Sequence, residues 1–130
     1  MSPSSPTPAL VLVHRAGAEV DVGVPRSFCC LRSTTGGTRA VVYRSARDQG
    51  VVGVVDFVSD AVPRADRPGW AADGVFRPIE PYLSRAALLA DPDLAAVFAH
   101  LQSRRRLPDA ARRRLGELLP DLPPACCRLR

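Results

Sequence analysis

The chain has 130 residues, of which 46% are hydrophobic and 5% aromatic, and a formal net charge of +5. That length and apolar content favour one domain with a true core and exclude wholesale disorder. No run approaches the ~20 apolar residues of a membrane span, and the start, MSPSSPTPALVLVHR, lacks the basic region of a signal peptide, so a cytoplasmic protein is expected.

The charge is unevenly spread. Residues 1–103 carry ten Arg and ten acids, whereas residues 104–130 carry eight Arg against Asp109, Glu117 and Asp121. All eighteen basic residues are Arg. Guanidinium pairs bidentately with phosphate, but the matching surplus of Ala, Val, Gly and Pro points to GC-rich coding, and the lack of Lys is read that way. The cysteines form two vicinal pairs, Cys29-Cys30 and Cys126-Cys127. This spacing does not suit structural zinc, and buried or inert thiols are expected.

In chain order, residues 1–8 are Ser/Pro/Thr-rich and read as a tail. ALVLVH, 9–14, has strand length and composition. AGAEVDVGVP reads as a loop. RSFCCLRST reads as a short helix, with Ser27 as cap and Phe28 and Leu31 facing inward. TTGG, 34–37, is a turn, followed by a hairpin with strands at 39–44 and 50–58. DAVPRADRPG, 60–69, is a surface excursion. GVFRPI, 74–79, is a strand ended by Pro78 and Pro81. A short helix over 84–90, capped by Ser84, precedes a helix with Asp91 as N-cap and Pro92 at N1. Leu94, Val97, Phe98 and Leu101 mark its buried face, and His100 lies off that stripe. The last helix covers 108–119, with Ala111, Leu115, Leu118 and Leu119 inward and Arg112, Arg113 and Arg114 around the rest. Mixed strands and short helices predict an α+β fold: a curled antiparallel sheet or small barrel buttressed by helices, over residues 9–120, with 121–130 as a second tail.

The chemistry inventory is thin. Neither histidine lies in a metal motif or near a convincing nucleophile. TTGGTR and VGVV lack the phosphate-loop and dinucleotide patterns. Asp56 and Asp60, the one carboxylate dyad on offer, read as surface groups. Binding is favoured over catalysis, with no cofactor and no metal.

The run GTRAVVYRSARDQGVVGVVDFVSDAVP, 37–63, resembles the hairpin of EVE domains, in the PUA-like superfamily with YTH and ASCH domains. There a strand ending Tyr-His-Ser precedes an Ile-Val-Gly-Ile strand; here stand Tyr43-Arg44-Ser45 and Val51-Val52-Gly53-Val54. GVFRPIEP, the Asp-Pro-x-Leu helix and RRRLPDAARRRL continue the likeness, and DVGVPR, 21–26, falls where the family has Trp-Asp-Gly-Val-Arg-Asn. The resemblance implies a PUA-like barrel with a pocket for a flipped nucleobase, modified or not, in DNA or RNA. It places Asp21, Val24, Arg26, Ser27, Tyr43, Arg44, Ser45 and Trp70 around that pocket. Asp21 stands where the family has its pocket tryptophan and Arg44 where it has histidine. Flipping a base costs a few kcal/mol, and stacking returns about 1–3 kcal/mol per base.

Each of these residues also has a plain reading: Tyr43 as a tyrosine at the core rim, Arg44 and Ser45 as loop residues, Trp70 as packing, Gly53 as a bulge. Arg104, Arg105, Arg106, Arg112 and Arg113 are the candidate phosphate contacts, or else a solvated helix face. The alternative function is a protein-interaction or regulatory module whose pocket is degenerate.

Overall fold

The structure is a computed structural model and describes residues 6–14 and 21–124. Strands β1 (Leu10–His14), β2 (Pro25–Cys30), β3 (Arg39–Arg44), β4 (Gly50–Phe57), β5 (Val62–Pro63) and β6 (Trp70–Ser84) come first. Helices α1 (Arg85–Leu89) and α2 (Pro92–Phe98), strand β7 (Arg105–Arg106) and helix α3 (Asp109–Leu118) follow. The strands form one mixed sheet in the order β2-β6-β4-β3-β1-β7, with β5 also on β6. It curls into a half-barrel, and the fold is α+β as expected. The sheet is not wholly antiparallel, because β1 runs parallel to β3.

The valine runs are explained by burial on both faces. On β3, Val41 and Tyr43 pack toward the helices with Val11, Val54, Leu88, Leu94, Val97, Phe98 and Leu115. Their neighbours Ala40 and Val42 pack on the opposite face with Leu10, Leu12, Val55, Phe57 and Phe76. A strand covered on both sides needs no polar alternation, so it reads as an unbroken apolar run. Each such side chain contributes about 1.5–3 kcal/mol on full burial.

The helix expected over RSFCCLRST is a strand instead. Residues 25–30 pair along their length with β6, from Pro25 opposite Val75 to Cys30 opposite Trp70. Phe28 and Cys30, two apart, reach the same core, a period of two that outweighs the i, i+3 match of Phe28 with Leu31. The strand expected at 74–79 is longer than its prolines suggested. β6 runs through both, because its pairing with β4 jumps from Gly53 opposite Pro78 to Val51 opposite Leu83. Residues 79–82 have no partner on β4 there, so the N–H that Pro81 lacks costs no ladder bond.

Gly53 has a strict reason at this jump. A Cβ there would lie 2.5 Å from the Arg77 carbonyl oxygen and 2.6 Å from Phe76 Cε1. The helix caps behave as read: Ser84 Oγ accepts from Ala87 N at 3.1 Å, and Asp91 Oδ1 accepts from Asp93 N at 3.0 Å. His100 is exposed. Leu118, expected inward on α3, is exposed as well, while Leu119 packs against the core.

Two further expectations change. Asp56 is not a surface carboxylate but 2% exposed, and Arg39 beside it is 1% exposed. Arg39 donates from Nε to Asp56 Oδ1 at 2.6 Å and from Nη2 to Oδ2 at 2.9 Å. Arg77 Nη2 donates to the same Oδ2 at 2.5 Å. The spare donors reach the segment read as a tail: Arg39 Nη2 to the Leu122 carbonyl at 2.8 Å and Arg77 Nη2 to that of Pro123 at 2.6 Å. Likewise Pro8, assigned to the first tail, is buried, and its carbonyl accepts from Arg112 Nε at 3.0 Å. Residues 1–5 and 125–130 of the expected tails, including Cys126-Cys127, lie outside the described residues.

Candidate functional site

The expected pocket residues do not converge. Tyr43 is buried among the helix-facing core, its ring 5.5 Å from that of Phe98, and its hydroxyl reaches Gln49 Oε1 at 3.3 Å. It is a core residue rather than a stacking platform. Arg44 closes the β3–β4 turn, donating from Nη2 to the Asp48 carbonyl at 2.9 Å and lying 5.3 Å from the Tyr82 ring centroid. Ser45 N donates to the His14 carbonyl at 3.1 Å. Asp21 and Arg26 form an exposed ion pair at 2.6 Å, with exposed Val24 between them. Trp70 opens β6, packs against the core of the other face and carries the Arg32 guanidinium 5.4 Å from its ring centroid.

A different cleft joins polar and apolar chemistry. The sheet stops short of closing, so β2 and β1 face one another as two lips. Between them lies a cleft of about 580 Å³ lined by Leu12, Val13, Ser27, Phe28, Cys29, Arg64, Arg67, Pro68, Ser103 and Arg104. Adjoining it is a small niche of about 70 Å³ between Leu12, Val13, His14, Phe28, Val42 and Phe76, almost wholly apolar. Of the expected residues, the cleft gathers Ser27 and Arg104.

Local sequence explains how these side chains are held. Arg64 N donates to the Gly69 carbonyl at 2.9 Å, closing a short hairpin that carries Arg64, Asp66 and Arg67. Gly69 turns it with φ +122, and a Cβ there would sit 3.3 Å from Arg104 Nη2, which shows how closely Arg104 approaches the turn. Arg64 meets Asp66 at 3.3 Å and touches Cys29 Sγ. Arg67 lies 3.8 Å from Asp66 and is well exposed. The hydrogen bond with Arg64 holds the Asp66 carboxyl below its ordinary range, and the same bond raises Arg64.

Arg104 comes from the opposite lip. β7 pairs with Leu10 and Val11, so the residue before it lies beside the cleft. Its Nε donates to the Cys30 carbonyl at 2.9 Å, and Arg106 Nη1 reaches Ser33 Oγ at 3.1 Å. Two arginines thus bridge the lips at the β7 end. Cys30 points into the core, where burial pushes its thiol up. Cys29, expected inert, is half-buried in the cleft wall.

The remaining basic residues scatter. Arg105 turns to the Arg106 carbonyl. Arg112 holds Pro8, and Arg113 lines a separate cavity with Arg39 and Asp121. Arg114 pairs with Asp91 at 2.5 Å and Glu117 at 3.0 Å. Arg64 and Arg67 carry no signal in the sequence because 60–69 has the composition of an ordinary charged loop, and Phe28 none because its spacing with Leu31 predicts a helix. Among the described residues no group of three or more His, Cys, Asp or Glu could hold a metal. None of the described helices is long and apolar enough to cross a membrane.

Fold and cleft together define an α+β domain built on a half-open curled sheet, with an arginine-lined seam between its edge strands. The same fold is seen in the NMR structure of Rpa0253 from Rhodopseudomonas palustris, which is 18% identical with a TM-score of 0.59 over 72% of this chain and 76% of that one. No protein-family model and no curated protein matches the sequence.

Proposed function

We propose that the protein is a non-catalytic, cytoplasmic nucleic-acid-binding domain that lodges an unstacked nucleobase, modified or not, at the seam between β1 and β2. The observation that carries this reading is the continuity of the cleft. One end offers an apolar floor with an aromatic ring, Phe28, and the other offers guanidinium groups from Arg64, Arg67 and Arg104. A nucleotide has the same division between a flat, weakly polar base and an anionic phosphate. Clefts that bind small ligands span roughly 300–1,000 Å³, and this one is about 580 Å³. The EVE-like resemblance of residues 37–63 supports the same class of ligand, though of the pocket side chains it nominated the cleft holds Ser27 and not the others.

The test is a titration with single-stranded oligonucleotides that carry natural, modified or abasic positions, at two salt concentrations. The reading expects an affinity that drops on removing the base and drops again in Phe28→Leu, which keeps apolar volume but loses the ring. Tyr43→Ala is unsuited to this purpose, because it would open a cavity in the core. An affinity indifferent to the base, and lost with salt alone, would reduce the cleft to a general polyanion surface. Binding to a folded protein partner in place of nucleic acid would support the interaction-module alternative.

A further inference from the structure

Resting on the reading above, we infer that the nucleotide accepted by the seam is a strand terminus or free nucleotide carrying a phosphomonoester, rather than an internal nucleotide.

The first argument is charge. Three guanidiniums line the cleft, and the one carboxylate paired with two of them is Asp66. Two positive charges remain in excess. An internal phosphodiester brings one negative charge, whereas a phosphomonoester carries about −1.5 to −2 near neutral pH and three strong acceptor oxygens. The monoester matches the excess and has enough oxygens to face guanidiniums from both lips, which is how charge-assisted, bidentate contacts gain strength.

The second argument is shape. The cleft is crossed at its β7 end by Arg104 reaching the Cys30 carbonyl and by Arg106 reaching Ser33. The Arg64–Gly69 hairpin leans against the same Arg104, whose Nη2 would lie 3.3 Å from a Cβ at Gly69. A strand entering from the apolar niche meets this bridge at the arginines, where a chain that continued would need an exit. An end phosphate needs none. The third argument is cost: a terminal base is already largely unstacked, so little of the binding energy goes into extrusion.

The charged groups around this position come from several elements. Arg64 and Arg67, with their partner Asp66, come from the β5–β6 hairpin and Arg104 from the segment before β7, while Cys29 of β2 lines the cleft and His14 the adjoining niche. The hydrogen bond of Arg104 to a main-chain carbonyl leaves its Nη atoms directed past the bond, toward Gly69 and the cleft.

The experiment compares one fluorescent single-stranded oligonucleotide in four forms: 5′-phosphate, 3′-phosphate, hydroxyl at both ends, and phosphate capped as a methyl diester. Nucleoside monophosphate and inorganic phosphate serve as competitors. One phosphorylated end should bind about tenfold tighter than the hydroxyl and capped forms. Arg67→Gln, at an exposed position that the fold does not need, should erase most of that preference, and Arg104→Gln should do the same if it folds. Equal affinity for all four forms overturns this inference while leaving base lodging intact. If inorganic phosphate competes as well as the monophosphate, the phosphomonoester site stands and base lodging falls. Failure of every form to bind overturns both.

Discussion

The molecule holds two arginine clusters that share one recipe and serve opposite ends. In the first, Arg39 and Arg77 flank Asp56 inside the sheet, and the Leu122 and Pro123 carbonyls seal it. In the second, Arg64 and Arg67 flank Asp66 on an open hairpin, with Arg104 facing them. The difference is solvent. A buried ion pair recovers its large desolvation cost only through close, multiple contacts, and although Arg77 Nε is buried without a hydrogen-bond partner, the bonds of Arg39 and Arg77 to Asp56 and the two carbonyls commit both arginines to structure. An exposed pair such as Arg67 with Asp66, 64% and 68% exposed, holds its members loosely, and Arg67 stays available to an incoming anion. A sequence shows the same Arg and Asp letters in both places. Burial of the carboxylate side chain, 3% exposed at Asp56 and 68% at Asp66, separates the two.

Breaking each cluster at its carboxylate gives the largest contrast. Asp56→Ala leaves Arg39 buried without its partner and should cost about 3–5 kcal/mol, the range for breaking a buried pair by removing one side. Asp66→Ala should leave the denaturation midpoint essentially where it is. Chemical denaturation of both variants checks this, and an Asp56→Ala protein as stable as the parent would mean that the sealed cluster is not sealed.

The next effect concerns how closely the strands beneath the sealed cluster approach. Arg77 reaches Asp56 from β6, and its own carbonyl oxygen lies against Gly53 of β4. Gly53→Ala would place a methyl 2.5 Å from that oxygen, and the strands must part to admit it. Overpacking of this kind costs about 1–3 kcal/mol. The loss should appear in stability, with the phosphate preference of the open cluster unchanged in the folded fraction. A shift in nucleic-acid affinity without a shift in midpoint would show that the two regions are coupled in some other way.

Substitution in the open cluster should reverse that pattern. Arg64→Gln and Arg67→Gln should each lower the slope of log affinity against log salt by about one, as expected when a single phosphate contact is lost. Thermal stability should barely move. If Arg113→Gln, in the separate cavity beside α3, lowers the slope equally, the phosphate path runs over the last helix and not through the seam.

Much of this architecture is legible in the sequence, and the exceptions share a cause. The two valine strands, the caps at Ser84 and Asp91 and the buried stripe of α2 follow from local periodicity and turn chemistry, which depend on near neighbours. β2 is ambiguous in the sequence because four residues, Phe28 to Leu31, satisfy a helix period and a strand period at once. Its partner Trp70–Val75 lies forty to fifty positions away. The two-residue strand β7 has no local signature; Arg105 and Arg106 become a strand only because Leu10 and Val11 present a free edge. The site was less visible than the fold. The EVE-like resemblance puts Tyr43-Arg44-Ser45 at a pocket, yet strand alternation sends Tyr43 under the helices. Arg64 and Arg67 sit in a stretch with the composition of any surface loop, and nothing within it reports that the sheet's open seam runs alongside.

The smallest effect tests whether Asp66 tunes the open cluster. Its carboxyl is held below the ordinary range by Arg64, so it stays ionised at neutral pH and cancels part of the charge offered to an anion. Its contribution to stability is complete above the ordinary carboxylate range and disappears as pH falls through the lower, folded value. Asp66→Asn should therefore shift stability slightly at pH 7 and not at all in strong acid, where parent and variant are both uncharged there. For binding the sign is opposite: removing the negative charge should raise affinity for a phosphorylated end by about twofold, the scale of one exposed charge interaction. If affinity falls instead, Asp66 is needed to aim Arg64 and Arg67, and the open cluster is a preformed site rather than a pair of loosely held cations.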